Sequence, residues 1–397
     1  MPDRVTRLLT ADDIDASIGL AVEAFGTFPA GTPLPSAADF PPPGRHTWGT
    51  FEDGRLVARV VGREYDSWFH GRAVPTCGIA GVAVVAEHRG EGLLTDLMRA
   101  TLDEARERGE AVSTLFPTAP GIYRPFGYEL VGSYDAVEVP TGELNAVGRP
   151  TGTVTRRATA ADFDTVRDLY DRWASGQNGP LTRRGVSFPT SAEEFVAAFT
   201  GVTLAVDEAG KVVGYCSWDR GTGYDASATI EVADLVAVTA DGYRALWRVL
   251  GSYSTVTGQV RVHTSGDDLA QLVLPGASWQ VTARHPYMLR VHDVAGALTG
   301  IATTAEVDLT FRVTGDRLGS ADGDYRLRVV EGRTVCEPSA PGAASPVLDL
   351  RGLALAYAGA QPTANLRLAE LLTGPATQDW MLDALFGGRQ VHIRDYF

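Results

Sequence analysis

The segment RGEG at residues 89–92 joins a short apolar run at 82–86 to a stretch at 93–108 whose apolar residues recur at helical spacing. The run predicts a buried strand, and the periodicity predicts an amphipathic helix. A glycine turn at a helix N-terminus offers backbone N–H groups and the positive end of the helix dipole, which together suit a pyrophosphate. Glycine is needed because a Cβ would hold the phosphates away from the amides. The residues alone also allow a plain strand-to-helix connection.

The motif GIYRPFGY at 121–128 supplies two candidate proton donors, Tyr123 and Tyr128. A phenol whose pKa is near ~10 stays protonated at neutral pH and can give its proton to a leaving group. A core tyrosine whose hydroxyl meets a backbone carbonyl is the alternative interpretation. The seven histidines are scattered outside any general-base motif, and His88, just before the glycine turn, is better placed to face phosphate. The sequence has no G-x-S-x-G, no H-E-x-x-H and no Cys/His cluster, so neither a hydrolase site nor a metal site is predicted.

The elements that would position these residues occur twice. TADDID at 10–15 returns as TAADFD at 159–164, the hairpin pattern at 51–58 returns at 206–214, and VAVVA at 82–86 returns as VAVTA at 236–240. Because order and spacing agree, we predict two copies of one α/β domain, at about 1–150 and 151–292. Only the first copy keeps the glycines. Bulky residues fill the corresponding turn at 241–247, so the second copy is interpreted as structural.

The remaining residues, 293–397, predict a small α+β domain. Strand patterns at 306–313, 324–330 and 333–337 are followed by a Pro/Ala/Gly/Ser stretch at 338–346 and by helical patterns at 350–358 and 378–386. The chain ends VHIRDYF. Most termini fray because nothing buries them, but one this apolar and aromatic is expected to be docked.

The composition is that of a globular protein with an excess of acidic groups. Hydrophobic residues make up 44% and charged residues 21%, and 35 basic against 49 acidic residues give a net charge of −14. No apolar run approaches the ~20 residues that span a bilayer, and the negative charge disfavours nucleic acid and anionic membranes as partners. Three well-separated cysteines indicate a reducing cytoplasmic location rather than a disulfide framework.

The order of helix, hairpin, strand, Arg-x-x-Gly turn and helix resembles the GNAT acetyltransferases. Their signature R/Q-x-x-G-x-G/A here reads Arg89-x-x-Gly92-x-Leu94, with leucine in place of the last small residue. The whole chain resembles the Eis ("enhanced intracellular survival") N-acetyltransferases of actinobacteria. That resemblance rests on HRGEGLLTDLM at 88–98, the FGY motif at 126–128, the degenerate second copy and a C-terminal phenylalanine. It implies an α/β (α+β) fold class, with two tandem GNAT acetyltransferase-like domains followed by a sterol-carrier-protein-like α+β domain at 293–397.

The resemblance also implies which residues act in the site. The tyrosine of the FGY motif, Tyr128, is the general acid, and the terminal carboxylate of Phe397 is the general base. A bulge in the central strand, at Val84 or Val85, is expected to turn a backbone N–H toward the thioester carbonyl. The residues predicted to bind acetyl-CoA are Val82, Ala83 and Val84 at the pantetheine and acetyl end, Arg89, Gly90, Glu91, Gly92, Leu93, Leu94 and Thr95 at the pyrophosphate, and Tyr123 and Arg124 along the arm.

An acetyl-CoA-dependent N-acetyltransferase is therefore the leading prediction, without a metal and, by resemblance, as a homohexamer. The implied acceptors are small-molecule polyamines such as aminoglycosides, or lysine side chains, held in a pocket of carboxylates and aromatic walls. Two other classes of function stay open. One is a lipid- or sterol-binding carrier, and the other is a structural protein whose acetyltransferase fold is inactive.

Overall fold

The computed structural model describes residues 3–29, 31–32, 34–274, 276, 278–340 and 345–397. The first copy contains β1 (Arg4–Leu8), α1 (Ile14–Phe25), β2 (Arg45–Glu52), β3 (Arg55–Phe69), β4 (Arg72–Val84), α2 (Leu93–Glu107), β5 (Val112–Leu115), α3 (Pro120–Tyr123) and β6 (Glu129–Pro140). The second contains β7 (Val154–Arg157), α4 (Phe163–Ala174), α5 (Ala192–Ala197), β8 (Gly201–Val206), β9 (Val212–Arg220), β10 (Thr229–Ala237), α6 (Ala240–Gly251), β11 (Gln259–Thr264), α7 (Ala270–Val273) and β12 (Gln280–Val291). The C-terminal part contains α8 (Val294–Leu298), β13 (Asp308–Thr314), β14 (Gly323–Val330), β15 (Arg333–Pro338), β16 (Val347–Asp349), α9 (Leu350–Tyr357), α10 (Thr363–Leu368), β17 (Leu372–Thr373) and α11 (Asp379–Phe386). None of the described helices combines the length and apolarity that crossing a bilayer requires.

The internal repeat is visible in the contacts that begin the first helix of each copy. The backbone N–H and the hydroxyl of Thr10 donate to the Asp13 carboxylate at 2.8 and 3.1 Å. Thr159 and Asp162 make the same two contacts at 2.9 and 3.1 Å. Each pair resembles a capping box, which supplies partners to backbone groups that a helix start leaves unpaired. The predicted duplication is therefore confirmed down to individual side chains.

One twelve-stranded sheet runs through both copies in the order β1-β2-β3-β4-β5-β12-β6-β11-β10-β9-β8-β7. The copies exchange strands at its centre. β12, from the end of the second copy, lies antiparallel between β5 and β6 of the first, with Met288 opposite Leu115. β6 in turn pairs with β11 of the second copy, with Val137 opposite Val262. The boundary predicted near residue 150 thus separates two stretches of chain without separating the sheet.

The C-terminal residues form a five-stranded sheet in the order β15-β14-β13-β16-β17, and α9 packs on β13 and β16. Its apolar side chains share one continuous core with Tyr287, Leu289 and Val291 of β12. The predicted strands and helices are present as β13, β14, β15, α9 and α11. The sequence pattern gives no signal for α8, β16, α10 and β17, because segments this short do not complete a hydrophobic period. Residues 341–344 of the predicted Pro/Ala/Gly/Ser stretch lie outside the described residues.

A buried ion pair joins β12 to the C-terminal domain. Arg290 and Asp316 have fully buried side chains, and the guanidinium donates to both carboxylate oxygens at 2.9 and 3.0 Å. Burial acts to raise the pKa of Asp316, but its hydrogen bonds and its attraction to Arg290 outweigh burial and lower that pKa to about 2. A further N–H of Arg290 donates to the backbone carbonyl of Phe126. The pair therefore connects the C-terminal domain, β12 and the 121–128 motif.

We expect Arg290→Met to lower the free energy of unfolding by about 3–5 kcal/mol, because it leaves the Asp316 carboxylate buried without its counter-charge. Arg312→Met is the matched control. The Arg312 side chain is 43% exposed in its pair with Asp324, and we expect a loss below ~1 kcal/mol there. Urea unfolding followed by tryptophan fluorescence measures both variants. Equal stability of the two variants would show that the buried pair contributes no more than a surface pair.

Candidate active site

Two neighbouring strands of the first copy separate and open a cleft. β4 and β5 run parallel and pair from Thr76 with Val112 to Ile79 with Leu115, where β5 ends. β4 continues to Val84, and among the described residues this last part has a strand partner only on its β3 side. A free strand edge offers backbone N–H and C=O groups to an extended ligand. The backbone at 82–84, predicted to bind the pantetheine and acetyl end, lies on this edge.

β4 contains a bulge at Gly81 and Val82, because these two residues lie opposite a single residue of β3, Val60. Gly81 has a φ of 54°, in the left-handed region that favours glycine. A bulge takes an amide out of the ladder, and that N–H can then point to a carbonyl oxygen. The predicted position, Val84 or Val85, is wrong. Val84 is back in register with β3, and the Val85 N–H donates to a carbonyl of β3 at 2.9 Å.

The RGEG turn has the open geometry that a phosphate needs. Gly90 and Gly92 have φ values of 86° and 83°, both are exposed, and a Cβ at either would meet no atom within 4 Å. Within the described chain, the N–H groups of Gly90, Gly92, Leu93 and Leu94 have no backbone acceptor. Unpaired amides at the start of a helix form an anion site. The Leu94 side chain packs on the core. Leucine at the last position of the signature therefore does not cover the open amides of the turn.

Several other groups around the turn already have partners within the protein. The Thr95 N–H already donates to a backbone carbonyl at 2.9 Å, and the Arg89 Nε donates back to the end of β4 at 3.3 Å. Glu91 forms an ion pair with Arg4. The two ring nitrogens of His88 each lie 3.4 Å from a carboxylate oxygen, one of Glu52 and one of Glu91. The imidazole is therefore directed toward these carboxylates and not toward the open amides. The groups that stay open at the turn are therefore the backbone N–H groups of Gly90 and of residues 92–94.

Tyr128 is fully buried at the base of the cleft. Its hydroxyl lies 2.6 Å from the Oγ of Ser113, on the part of β5 that still pairs with β4. Burial raises the pKa of Tyr128 above its ordinary value, so the phenol keeps its proton. The Tyr123 ring meets the Tyr128 ring edge-on, with centroids 6.2 Å apart. An Nη of Arg124 forms an ion pair with a carboxylate oxygen of Glu129 at 3.0 Å. This pairing would weaken the attraction of Arg124 for a phosphate.

The C-terminal tail is docked, as predicted, at the β4–β5 fork, which is the point after Ile79 and Leu115 where the two strands separate. The Phe397 ring centroid lies 4.9 Å from that of Tyr65 and 5.4 Å from that of Phe116. It covers Gly78 of β4, where a Cβ would come within 2.9 Å of the ring. Upstream, the buried Arg394 forms an ion pair at 3.1 Å with an aspartate of β10. The second copy therefore helps to hold the terminus against the cleft of the first.

Tyr128 and Phe397 approach the cleft from opposite faces of the sheet. Successive side chains of a strand point to opposite faces. Cys77 of β4 shares the core that contains Tyr128, and the next residue, Gly78, meets Phe397. An acyl group between β4 and β5 would have a proton donor on one side and the chain terminus on the other. This arrangement suits addition of a nucleophile to one face of a carbonyl carbon, with a proton donor available to the group that leaves the tetrahedral intermediate.

A cavity of about 270 Å³ lies beside the bulge, between α1 and strands β2, β3 and β4. Three arginines line it, Arg45, Arg59 and Arg63, and no aspartate or glutamate does so among the described residues. This lining differs from the carboxylate-lined acceptor pocket that the resemblance implies. The missed signal is the alternation of Arg59, Val61 and Arg63, because charges at alternate positions of an interior strand fall on one face.

The equivalent helix start in the second copy is closed. The Thr239 hydroxyl caps α6 by accepting a backbone N–H at 3.1 Å. The Asp241 carboxylate accepts the N–H groups of the linker residues 151–152 at 3.0 and 2.9 Å. Tyr243 and Trp247, the bulky residues noted in the sequence, are buried. A side-chain cap and a carboxylate thus lie where the first copy has open glycines.

Models of known protein families match three parts of the chain. They are an Acetyltransferase (GNAT) domain at 5–131, another Acetyltransferase (GNAT) domain at 183–291 and a Sterol carrier protein domain at 294–394. The chain is similar to an uncharacterized N-acetyltransferase of Streptomyces avermitilis, with 31% identity over 82% of this chain and 81% of the relative. It is also similar to the N-acetyltransferase Eis of Mycobacterium tuberculosis, with 27% identity over 75% of this chain and 74% of the relative.

Two solved structures share the whole architecture. The GCN5-related N-acetyltransferase from Kribbella flavida matches with a TM-score of 0.82 and 28% identity, over 100% of this chain and 99% of that chain. Eis1 from Mycobacterium abscessus matches with a TM-score of 0.75 and 22% identity, over 99% of this chain and 100% of that chain. The three-part arrangement is therefore common to both.

Proposed function

Because the chain belongs to the Eis-type N-acetyltransferases of the GNAT family, we propose that it moves the acetyl group of acetyl-CoA to an amine, with Tyr128 as general acid and the terminal carboxylate of Phe397 as general base. The observation that supports this best is the convergence at the β4–β5 fork. Open amides at Gly90 and at 92–94 lie beyond the end of the free β4 edge, and Tyr128 and Phe397 meet the fork from its two faces.

The residues present fit acetyl-CoA, which supplies the activated acetyl group when bound. The N–H groups of Gly90 and Gly92 would hold its pyrophosphate, and the edge at 82–84 would hold its pantetheine arm. The bulge at Gly81 and Val82 would donate to the acetyl oxygen. This binding surface is made mostly of backbone.

The proton transfers are assigned to the two ends of the displacement. The acceptor is mostly an ammonium at neutral pH, and the Phe397 carboxylate would accept its first proton as the nitrogen approaches the acetyl carbon. The second proton would leave the nitrogen for solvent once the nitrogen–carbon bond has formed. The carbon–sulfur bond breaks, and Tyr128 would give its proton to the sulfur, so that a free thiol and an N-acetylated amine leave. Both groups then return to their starting charge by exchange with solvent. A carboxylate with an ordinary pKa near ~3.5 is a weak base, so it acts best as the bond forms.

The local charge bears on the acceptor. The resemblance implies polycations such as aminoglycosides or lysine side chains, and a net charge of −14 attracts cations at long range. The charge beside the cleft is instead positive, because Arg45, Arg59 and Arg63 line the cavity there. Salt screens charges beyond about 8 Å, so the nearby guanidiniums outweigh the distant carboxylates. We therefore propose a primary amine as the general acceptor class.

Thiol release from acetyl-CoA over a panel of amines tests the proposal. The panel contains alkylamines, amino acids, an aminoglycoside and a lysine peptide, and mass spectrometry identifies the N-acetylated product. We expect release that depends on the amine. Binding of coenzyme A without transfer to any amine would reject the proposed reaction, and absence of binding would reject the proposed cofactor site.

We expect Gly92→Ala to weaken the binding of coenzyme A by about 10- to 100-fold, because the new Cβ would keep a phosphate from charge-assisted hydrogen bonds to the amides. Gly109→Ala is the matched control. Gly109 also has a φ of 83° and open space around its Cβ, but it lies beyond the other end of α2. Both variants therefore place an alanine at the same positive φ. Isothermal titration calorimetry that finds equal affinities for both would remove the turn from the cofactor site.

We also propose the homohexamer, on the resemblance alone. Light scattering on the purified protein should then report six times the chain mass of 42.3 kDa. A monomer at micromolar concentration would contradict this assembly without affecting the proposed chemistry.

A further inference from the structure

The cavity beside the bulge is built around positive charge. Arg59 and Arg63 lie on β3 and are half-buried, and Arg45 lies at the rim on β2. A Cβ at Gly81, on the bulge itself, would be 3.4 Å from an Nη of Arg59. At least one guanidinium therefore lies next to the place where the acetyl group would be attacked.

These arginines have no acidic partner. Among the described residues, no carboxylate lies within ion-pair distance of Arg45, Arg59 or Arg63, although most other buried guanidiniums of the chain are paired. Arg59 donates to the Ser17 hydroxyl, and Arg63 donates to the Tyr65 hydroxyl at 3.1 Å. The Nε atoms of Arg59 and Arg63 are buried without any partner.

Such a group of charges is costly without a ligand. Burial disfavours a charged guanidinium, and like charges close together repel one another. Both effects are visible, because burial lowers the pKa of Arg59, and burial together with the neighbouring Arg63 lowers the pKa of Arg45. A bound anion would relieve both, and a guanidinium recognises carboxylates and phosphates through paired N–H donors.

We propose that the acceptor amine carries an anionic group, a carboxylate or a phosphate, that binds Arg59 and Arg63. The inference rests on the proposed acetyl transfer and narrows its substrate class. The amine would lie between the bulge and Phe397, with its anion in the arginine cavity. Because Arg59 adjoins the bulge, a short spacing between amine and anion fits best, as in an α- or β-amino acid or an aminoalkyl phosphate.

An alternative role for Arg59 is to stabilise negative charge on the acetyl oxygen. That role would act on every amine alike, so loss of Arg59 would lower kcat by one factor for all acceptors. If Arg59 instead recognises an anion, its loss would affect only acceptors that carry an anionic group, and it would mainly raise their KM. Matched acceptors separate the two roles.

The experiment compares kcat/KM for β-alanine against propylamine and for aminoethyl phosphate against ethanolamine, with kanamycin as the polycation. We expect the wild-type enzyme to prefer the anionic member of at least one pair by about 10- to 100-fold. Arg63→Gln and Arg59→Gln should reduce that ratio toward one. Arg172→Gln, at an exposed position of α4, should keep it. The two pairs distinguish carboxylate from phosphate.

A second readout does not depend on turnover. Calorimetry should detect N-acetyl-β-alanine or its phosphate counterpart binding to wild type at least tenfold more tightly than to Arg63→Gln, while both proteins bind coenzyme A equally. Preference for the uncharged amine or for kanamycin would overturn the inference but leave acetyl transfer in place. Loss of coenzyme A binding in Arg63→Gln would assign the cavity to the cofactor and would also overturn it. Absence of transfer to every amine would instead reject the proposed function.

Discussion

Tyr128→Phe is expected to lower kcat by about 10²- to 10⁴-fold, the usual contribution of a positioned general acid. The phenol is buried, keeps its proton and lies at the β4–β5 fork on the face opposite Phe397. Without it, the departing sulfur would leave as a thiolate with no positioned proton donor. The affinity for coenzyme A should change little, because the ring remains in place. Single-turnover mixing of enzyme, acetyl-CoA and amine measures the step itself.

Two neighbouring variants make this test specific. Ser113→Ala removes the partner of the Tyr128 hydroxyl, and Tyr123→Phe removes the other phenol on this side of the cleft. We expect each to cost less than tenfold in kcat, because neither group gives up a proton in the proposed reaction. If Tyr123→Phe were the damaging change and Tyr128→Phe were active, the acid would have to be reassigned.

Removing the terminal carboxylate should have the second large effect. We expect a chain with one extra glycine after Phe397, or with a C-terminal amide, to lose about 10²-fold in kcat/KM at neutral pH. The ring contacts with Tyr65 and Phe116 are kept in both, so the loss reports the carboxylate. Phe397→Leu is the converse control, because it keeps the carboxylate and removes the ring.

The effect of the carboxylate should change with pH in a direction that can be predicted. An acceptor with an ordinary amine pKa near ~10 is mostly protonated at neutral pH, and its neutral fraction rises about tenfold for each pH unit up to that pKa. The Phe397 carboxylate should therefore contribute most at low pH, where nearly all of the acceptor is protonated and must lose a proton before it can attack. The ratio of wild-type to amidated activity should therefore be largest at low pH and should fall as pH rises. A ratio that is constant from pH 6 to pH 10, or an amidated chain as active as wild type, would exclude the carboxylate as base.

Local sequence patterns predicted most of what depends on neighbouring residues. The capping residues Thr10 and Thr159, the glycine turn at 89–92 and helix α2 are all where the sequence indicates. These features arise from backbone preferences and helical periodicity within a few residues. The docked tail at Phe397 was also predictable, because four of the last seven residues are apolar or aromatic and such side chains favour burial.

Features that depend on distant partners were not predictable in this way. Strand exchange requires β12 to recognise β5 and β6, and a single strand pattern does not name its neighbours. The bulge lies at Gly81 rather than at Val84 or Val85 because register with β3 decides it. The expectation of carboxylates around the acceptor came from the resemblance and from the net charge, which is a property of the whole surface. In the cavity beside the bulge, three arginines on two strands determine the local field.

The position of β12 has a consequence for how the protein is made. The wall of the proposed acetyl-CoA cleft is β5, and one edge of β5 remains unpaired until residues 288–291 have left the ribosome. At about 5–20 residues per second, the half built from the first 150 residues waits about 7 to 28 s for that strand. A nascent chain interrupted in this interval exposes the edges of β5 and β6 in the middle of a future sheet, where they can pair with other chains. Catalytic competence is therefore acquired late in synthesis, although every proposed phosphate-binding amide is among the first hundred residues translated.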